Sequence, residues 1–278
     1  MRTPEQLKGK IRNVALETGL STQEILQMYL FERVLMRLSV SKYSKKFILK
    51  GGLLISSMLG IAERSTMDMD TTVTGIDMDE QTISSIVQEV LAIEVDDDIL
   101  FQFKKIEHIR EDDEYCNFRV HFNAVYGKIN NPMKLDITTG DVITPRAIEY
   151  TFRTIFDNEE IPVTAYNLET IVAEKYETII RRNISNSRAR DFYDLYKFFK
   201  LYKNKINREI LREALTNTAK RRESLEDMQE AEDIISDIRN EKYLMNLWSN
   251  YTSTNAFAKD ISYDEIVETL DEVRRFLL

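Results

Sequence analysis

Beyond Pro162 the chain carries no further proline and no glycine. A stretch of that length without a chain breaker or a left-handed turn former suits helices joined by short connections and is poorly suited to hairpins. The residues before it read differently. Over 4–39 apolar side chains recur at threes and fours (Leu7, Ile11, Val14, Ala15, then Leu26, Leu30, Val34, Leu38), with Gly19 between the two sets, which predicts two helices. Phe47-Ile48-Leu49 then meets Gly51-Gly52, and residues 53–62 are apolar and helix-length, so glycine joins a strand or turn to a helix. Residues 65–73 alternate, with Met67, Met69 and Thr71 on one face of a strand and Asp68, Asp70 and Thr72 on the other.

An amphipathic helix is predicted over 79–93, an acidic loop over 94–98, and strands over 99–106 and Phe118–Tyr126. A turn at 127–132 leads into residues 133–138, where Met133, Leu135 and Ile137 alternate with Lys134, Asp136 and Thr138. Residues 151–156 read as a short edge strand. The result is an α+β fold: a small mixed, mainly antiparallel sheet flanked by helices over 1–160, including the N-terminal helices, followed by an α-helical domain over 161–278.

Composition narrows the function. Nothing approaches the roughly 18 apolar residues of a membrane span, and the start, MRTPEQLKGKIRN, has no apolar signal region, so a cytoplasmic protein without a membrane partner is expected. With Cys116, His108 and His121 as the complete Cys/His inventory, neither an internal disulfide nor a Cys/His zinc site is available. A bound metal must be held by oxygen, which points to magnesium or manganese. The net charge of −9 argues against a nucleic-acid coat protein, but 174–222 holds fourteen Lys/Arg against six Asp/Glu. That stretch is either a solvated helical face or a surface for phosphates or RNA.

Two carboxylates of an Asp-x-Asp strand lie on one face about 6–7 Å apart at Cα, near enough to share a divalent ion. Asp136, on the polar side of a strand whose other side is apolar, is the candidate third ligand. Gly51-Gly52 ahead of a helix can bring backbone N–H groups close to phosphate oxygens, or can simply be a tight turn. Further on, Asn167 is a candidate helix cap, and Lys175 falls within the stripe of Leu168, Ile171, Val172 and Ile179, where it either reaches solvent or meets an anion. Ser187 is a candidate cap for the next helix, which carries Asp191 and Asp194; Asp191 has Arg188 and Lys175 as possible partners.

Lys50-Gly51-Gly52, the run Arg64-Ser65-Thr66-Met67-Asp68-Met69-Asp70, and Lys134-Leu135-Asp136-Ile137 together resemble the polymerase-β-like nucleotidyltransferase fold, and specifically the AbiEii/AbiGii family of bacterial toxins. Leu168 through Glu177, and Ser187 through Leu195, are similar to the third and fourth motifs of that family, so the resemblance covers about residues 45–200. The general superfamily has Gly-Ser and a gap of about ten residues before Asp-x-Asp. Here the pair is Gly-Gly and the gap is longer, which leaves phosphate contact to backbone N–H, Ser56 or Ser57.

The resemblance implies a toxin of a toxin–antitoxin or abortive-infection phage-defence system that transfers NMP from an NTP, with a tRNA 3′ end as acceptor. It also implies a cognate antitoxin, often a DNA-binding repressor. It implies Asp68, Asp70 and Asp136 as ligands of Mg2+ or Mn2+, Lys175 and Asp191 beside them in catalysis, and Gly51, Gly52, Lys175 and Arg188 as nucleotide contacts. Two other classes stay open: a nucleotidyltransferase acting on a small molecule such as an antibiotic, and a catalytically silent nucleotide-binding regulator.

Overall fold

The computed structural model describes residues 3–109 and 117–278, so Cys116 lies outside the described residues. Helix α1 (Pro4–Thr18) starts where the Thr3 hydroxyl accepts from the Gln6 N–H and stops at Gly19, which takes a left-handed φ of 74°. Helix α2 (Thr22–Val40) opens with a capping box of Ser21 and Glu24. Strand β1 (Phe47–Lys50) runs straight into α3 (Gly51–Leu59). The elements β2 (Met69–Val73), α4 (Glu80–Leu91), β3 (Leu100–His108), β4 (Phe118–Tyr126), β5 (Ile129–Thr138), β6 (Ile148–Arg153) and β7 (Glu160–Ala165) follow.

The seven strands form one sheet in the order β3-β4-β5-β2-β1-β7-β6. The β2–β5 and β1–β7 pairs are parallel and the others antiparallel, so the sheet is mixed and mainly antiparallel. One face is covered by α2 and α4: Val34, Leu38, Val87, Val90 and Leu91 surround a small apolar cavity together with Phe47, Met69, Thr71 and Leu135. Alternation then puts Asp70 and Asp136 on the other face.

Three details depart from the sequence reading. The β4–β5 turn is Gly127-Lys128 alone, and Pro132 lies inside β5 rather than in the turn. Proline is tolerated there because β2 begins to pair with β5 only at Leu135, leaving one side of the strand open at Pro132. The helix-only region begins after Ala165, because β7, with Ile161, Val163 and Ala165 buried, slots between β1 and β6. Finally, Met67 and Asp68 precede β2 rather than belonging to it, and both are exposed.

Inside α2 sits Glu32, fully buried, its Oε1 accepting from the Ile155 N–H at 2.7 Å. Burial pushes this carboxyl from 4.5 up to about 8, which keeps it largely protonated at neutral pH.

The chain divides into two compact units, one comprising the residues up to Asp141 with Ile148–Ala165, the other Val142–Ala147 with Tyr166–Leu278. The second unit is helical: α5 (Leu168–Arg182), α6 (Ala189–Tyr202), α7 (Arg208–Arg221), α8 (Leu225–Gln229), α9 (Ala231–Asn240), α10 (Lys242–Thr254) and α11 (Tyr263–Leu277). Asn167 caps α5 as expected, while its Nδ2 also donates to the carbonyls of Thr144 and Arg146. Helix α6 starts without a side-chain cap; the residue before it is Arg188, not Ser187, and the Arg188 N–H is taken by Asn186 Oδ1. Among the described residues no helix is long and apolar enough to cross a membrane.

Candidate active site

Register alone builds a line of charge across the sheet. Lys50 of β1 is opposite Asp70 of β2, Asp70 is beside Asp136 of β5, Asp136 is opposite Arg119 of β4, and Arg119 is opposite Glu107 of β3. Partners in register share a face, so the five side chains form one row in which two adjacent carboxylates stand between two cations. Asp68, two residues ahead of Asp70, adds its charge to the same place. Burial, followed by Asp136 and Asp68, raises the proton affinity of Asp70, against the opposing influence of Lys50 and the Gly52 N–H. Negative charge is therefore in local excess at Asp70.

Other side chains restrain the row. Arg119 grips Asp136 with a two-pronged contact, Nε to Oδ1 at 2.8 Å and Nη2 to Oδ2 at 2.7 Å. Lys50 Nζ donates to Asp141, which also accepts from the Thr138 hydroxyl. At the far end, Glu107 is bonded by Lys105 and by His121 Nε2, which pull its carboxyl down to about 2. Because Asp136 faces Arg119 and Asp68 faces solvent, no three acidic, His or Cys side chains among the described residues come together as a finished metal cage.

The glycine pair has a role within this row. Gly51 has a φ of 63°, and a Cβ on it would stand 2.1 Å from Asp70 Oδ2; a Cβ on Gly52 would stand 2.5 Å from Thr66 Oγ1. Glycine at these positions lets the N-terminus of α3 close over the Asp70 carboxylate, which the Gly52 N–H helps to keep ionised. Of the two serines considered for phosphate contact, Ser56 is fully buried and donates to the Arg64 carbonyl, so it is unsuited to that role. Ser57 shares a hydrogen bond with the Tyr150 hydroxyl at 2.9 Å.

The other sequence-predicted residues meet one another in the helical unit. Lys175 Nζ lies 2.6 Å from Asp191 Oδ1 and 3.0 Å from Asp194 Oδ2, and Arg188 Nε lies 2.9 Å from Asp191 Oδ2. Both aspartates are essentially inaccessible, at 1% and 0%. Lys175 thus has its anions within the protein. Much of the basic stretch is similarly engaged: Arg181 and Arg222 both hold the buried Glu177, Arg212 donates to the Leu277 carbonyl, and Lys203 lies near Glu272.

Arg119 went unnoticed in the sequence, although a two-residue turn at Gly127-Lys128 sets Tyr126 opposite Ile129 and, counting outward, Arg119 opposite Asp136.

Among solved structures, the chain is similar to JHP933 from Helicobacter pylori, with 16% identity, a TM-score of 0.51, and 93% of this chain and 94% of that one covered. It is also similar to the crystal structure of a putative nucleotidyltransferase from H. pylori, with 16% identity, a TM-score of 0.49, and coverage of 93% and 97%. At such identity the likeness concerns the fold. No curated protein matches the chain. The family model described as nucleotidyl transferase AbiEii toxin, type IV toxin–antitoxin system, matches residues 33–273, nearly the whole chain. This protein therefore belongs to the AbiEii family of toxin nucleotidyltransferases.

Proposed function

We propose that this nucleotidyltransferase transfers NMP from an NTP to the 3′ end of a tRNA in a magnesium-dependent reaction, and that this transfer is its toxic act. The observation that carries the reading is the side-by-side placement of Asp70 and Asp136 in register, with Asp68 adjacent and no hydrophobic layer from α2 or α4 over that face.

The donor set suits a hard divalent cation. Three carboxylates offer oxygen only, and the raised proton affinity of Asp70 marks a place where positive charge is wanted. Asp68, Asp70 and Asp136 are the residues that would hold Mg2+. When bound, Mg2+ would supply charge stabilisation for in-line displacement at the α-phosphate. Asp136, in register beside Asp70, is positioned to draw the proton from an acceptor hydroxyl once Arg119 releases it. The Gly52 N–H at the α3 N-terminus favours the ionised form of Asp70, against the larger effect of burial. The sequence motifs assign Lys175 and Arg188 to the triphosphate, for which they would exchange their ion pairs with Asp191 and Asp194, and Asp191 to their orientation.

The family places the protein in a type IV toxin–antitoxin system, which implies an antitoxin and a nucleotide substrate. We extend this to a phage-defence role in the cytoplasm, with an antitoxin that represses by binding DNA. The test is incubation of the protein, and of Asp70→Asn beside it, with each α-phosphate-labelled NTP, Mg2+ and total tRNA. Label on tRNA with the wild type alone supports the reading. Label on a small-molecule acceptor and none on RNA would replace it with antibiotic-type transfer, and no label on any acceptor despite nucleotide binding would make the protein a silent regulator.

A further inference from the structure

Arg119 has two carboxylates in register, one on each side: Asp136 on β5, which it grips through both oxygens, and Glu107 on β3. Both are close enough to favour its charged form, with Asp136 the stronger. Its side chain is about one-third exposed and that of Asp136 about one-sixth, so the guanidinium is not locked in a core. A carboxylate whose two oxygens are both taken by one guanidinium has its best-directed lone pairs in use. It cannot offer them to a metal ion without giving up at least one of those bonds.

We infer that Arg119 is a displaceable internal counter-ion, which occupies Asp136 when no divalent cation is bound and shifts toward Glu107 when one binds. The inference rests on the assignment of Asp136 as a metal ligand made above. It makes Arg119 a positioning residue. Holding Asp136 against Asp70 without metal would otherwise leave adjacent carboxylates unbalanced, and the guanidinium reduces that repulsion until a stronger cation arrives. Glu107 gives the displaced guanidinium a second seat. Its existing partners, Lys105 on its own strand and His121, two residues along from Arg119 on β4, take one oxygen each, and each oxygen keeps a second lone pair for a further donor.

Two substitutions should then move metal affinity in opposite directions. Arg119→Gln removes the competitor and should tighten binding roughly three- to tenfold, the size expected for a partly exposed two-pronged pair. Glu107→Gln removes the second seat and should weaken binding roughly twofold. The Glu107→Gln effect should vanish in the double variant, because the two residues act through one another.

The measurement is Mn2+ binding to the full chain without nucleotide, read from the electron paramagnetic resonance signal of free Mn2+, with a thermal melt of each variant. Asp70→Asn serves as the site control. Arg119→Lys, which keeps a cation but loses the fork, should fall between the wild type and Arg119→Gln and substitutes for it if Gln does not fold. Binding that Asp70→Asn abolishes but both Arg119 variants leave unchanged or weaken would overturn the counter-ion role and leave the metal site standing. No binding in either the wild type or Arg119→Gln would overturn both. Binding in Arg119→Gln alone would support the inference strongly.

Discussion

Asp70 and Asp191 are both flanked by further carboxylates, yet their surroundings balance charge differently. Around Asp191 and Asp194 the helical unit supplies Lys175 and Arg188, and the aspartates are sealed from water with their cations in place. Around Asp70 the sheet supplies Lys50, which is shared with Asp141, and burial, with Asp136 and Asp68 added to it, pushes the carboxyl toward protonation. A closed, neutralised cluster holds helices together. An open row with excess negative charge retains capacity for a ligand, at some cost to the fold.

The largest expected effect would come from Asp70→Asn, which should lower transfer activity by about a thousandfold or more while leaving thermal stability unchanged or higher, since a poorly compensated buried charge is lost. A destabilised variant would put Asp70 in the same class as Asp191. Lys175→Met should do the reverse, lowering unfolding free energy by about 3 kcal/mol because buried carboxylates lose their main partner; denaturant titration reads this directly. Full stability in that variant would erase the distinction.

Gly51→Ala sharpens the comparison from the backbone side. A left-handed alanine costs about 1–2 kcal/mol, and the added Cβ would displace the Asp70 carboxylate, so both stability and activity should fall. Gly9→Ala, inside α1 with open space around its Cα, is the control: it should raise stability by about 0.5–1 kcal/mol and leave transfer unchanged, read by the same melts and transfer assays.

Glu32→Gln concerns a buried acid away from the row. Its folded pKa is raised, so its contribution is most favourable below 4.5 and is lost as pH rises toward about 8. The variant should gain on the wild type by about 1.4 kcal/mol for each pH unit between 4.5 and about 8, several kcal/mol in all, and lose that advantage near pH 4.5, as followed by unfolding across pH. The smallest effect is expected at the exposed end of the basic stretch. Lys205→Glu with Arg208→Glu should weaken RNA binding severalfold and lower its salt slope by about one per lost phosphate contact. Charge reversal at Arg181 would be a poor test, because that side chain holds buried Glu177.

Periodicity made the first helices, β4 and the polar side of β5 readable, because each buries one face in a regular rhythm, whereas β1 is marked by an apolar run whose residues are all buried. It could not show β7, where a short strand with a proline at its centre is stabilised by pairing with β1, more than a hundred residues earlier. Nor could it show that the glycine pair serves Asp70, which depends on how β1 and β2 come together. Lys175 and Arg188 are the possible partners of Asp191 that the sequence offers, but the Lys175 contact, and the burial of Asp194 beside it, depend on how α5 and α6 pack.

The parallel pairing of β2 with β5 also affects when the protein can become active. Asp70 and Asp136 are 66 positions apart in sequence and meet only when that pairing closes, and β1, an interior strand of the sheet, gains its last neighbour from residues 160–165. Contacts between distant parts of a chain form slowly and late in folding. During synthesis the carboxylate row therefore does not exist until β5 has emerged, and its sheet is unfinished until β7 follows, so a nascent chain that ends before β5 lacks the pairing of Asp70 with Asp136.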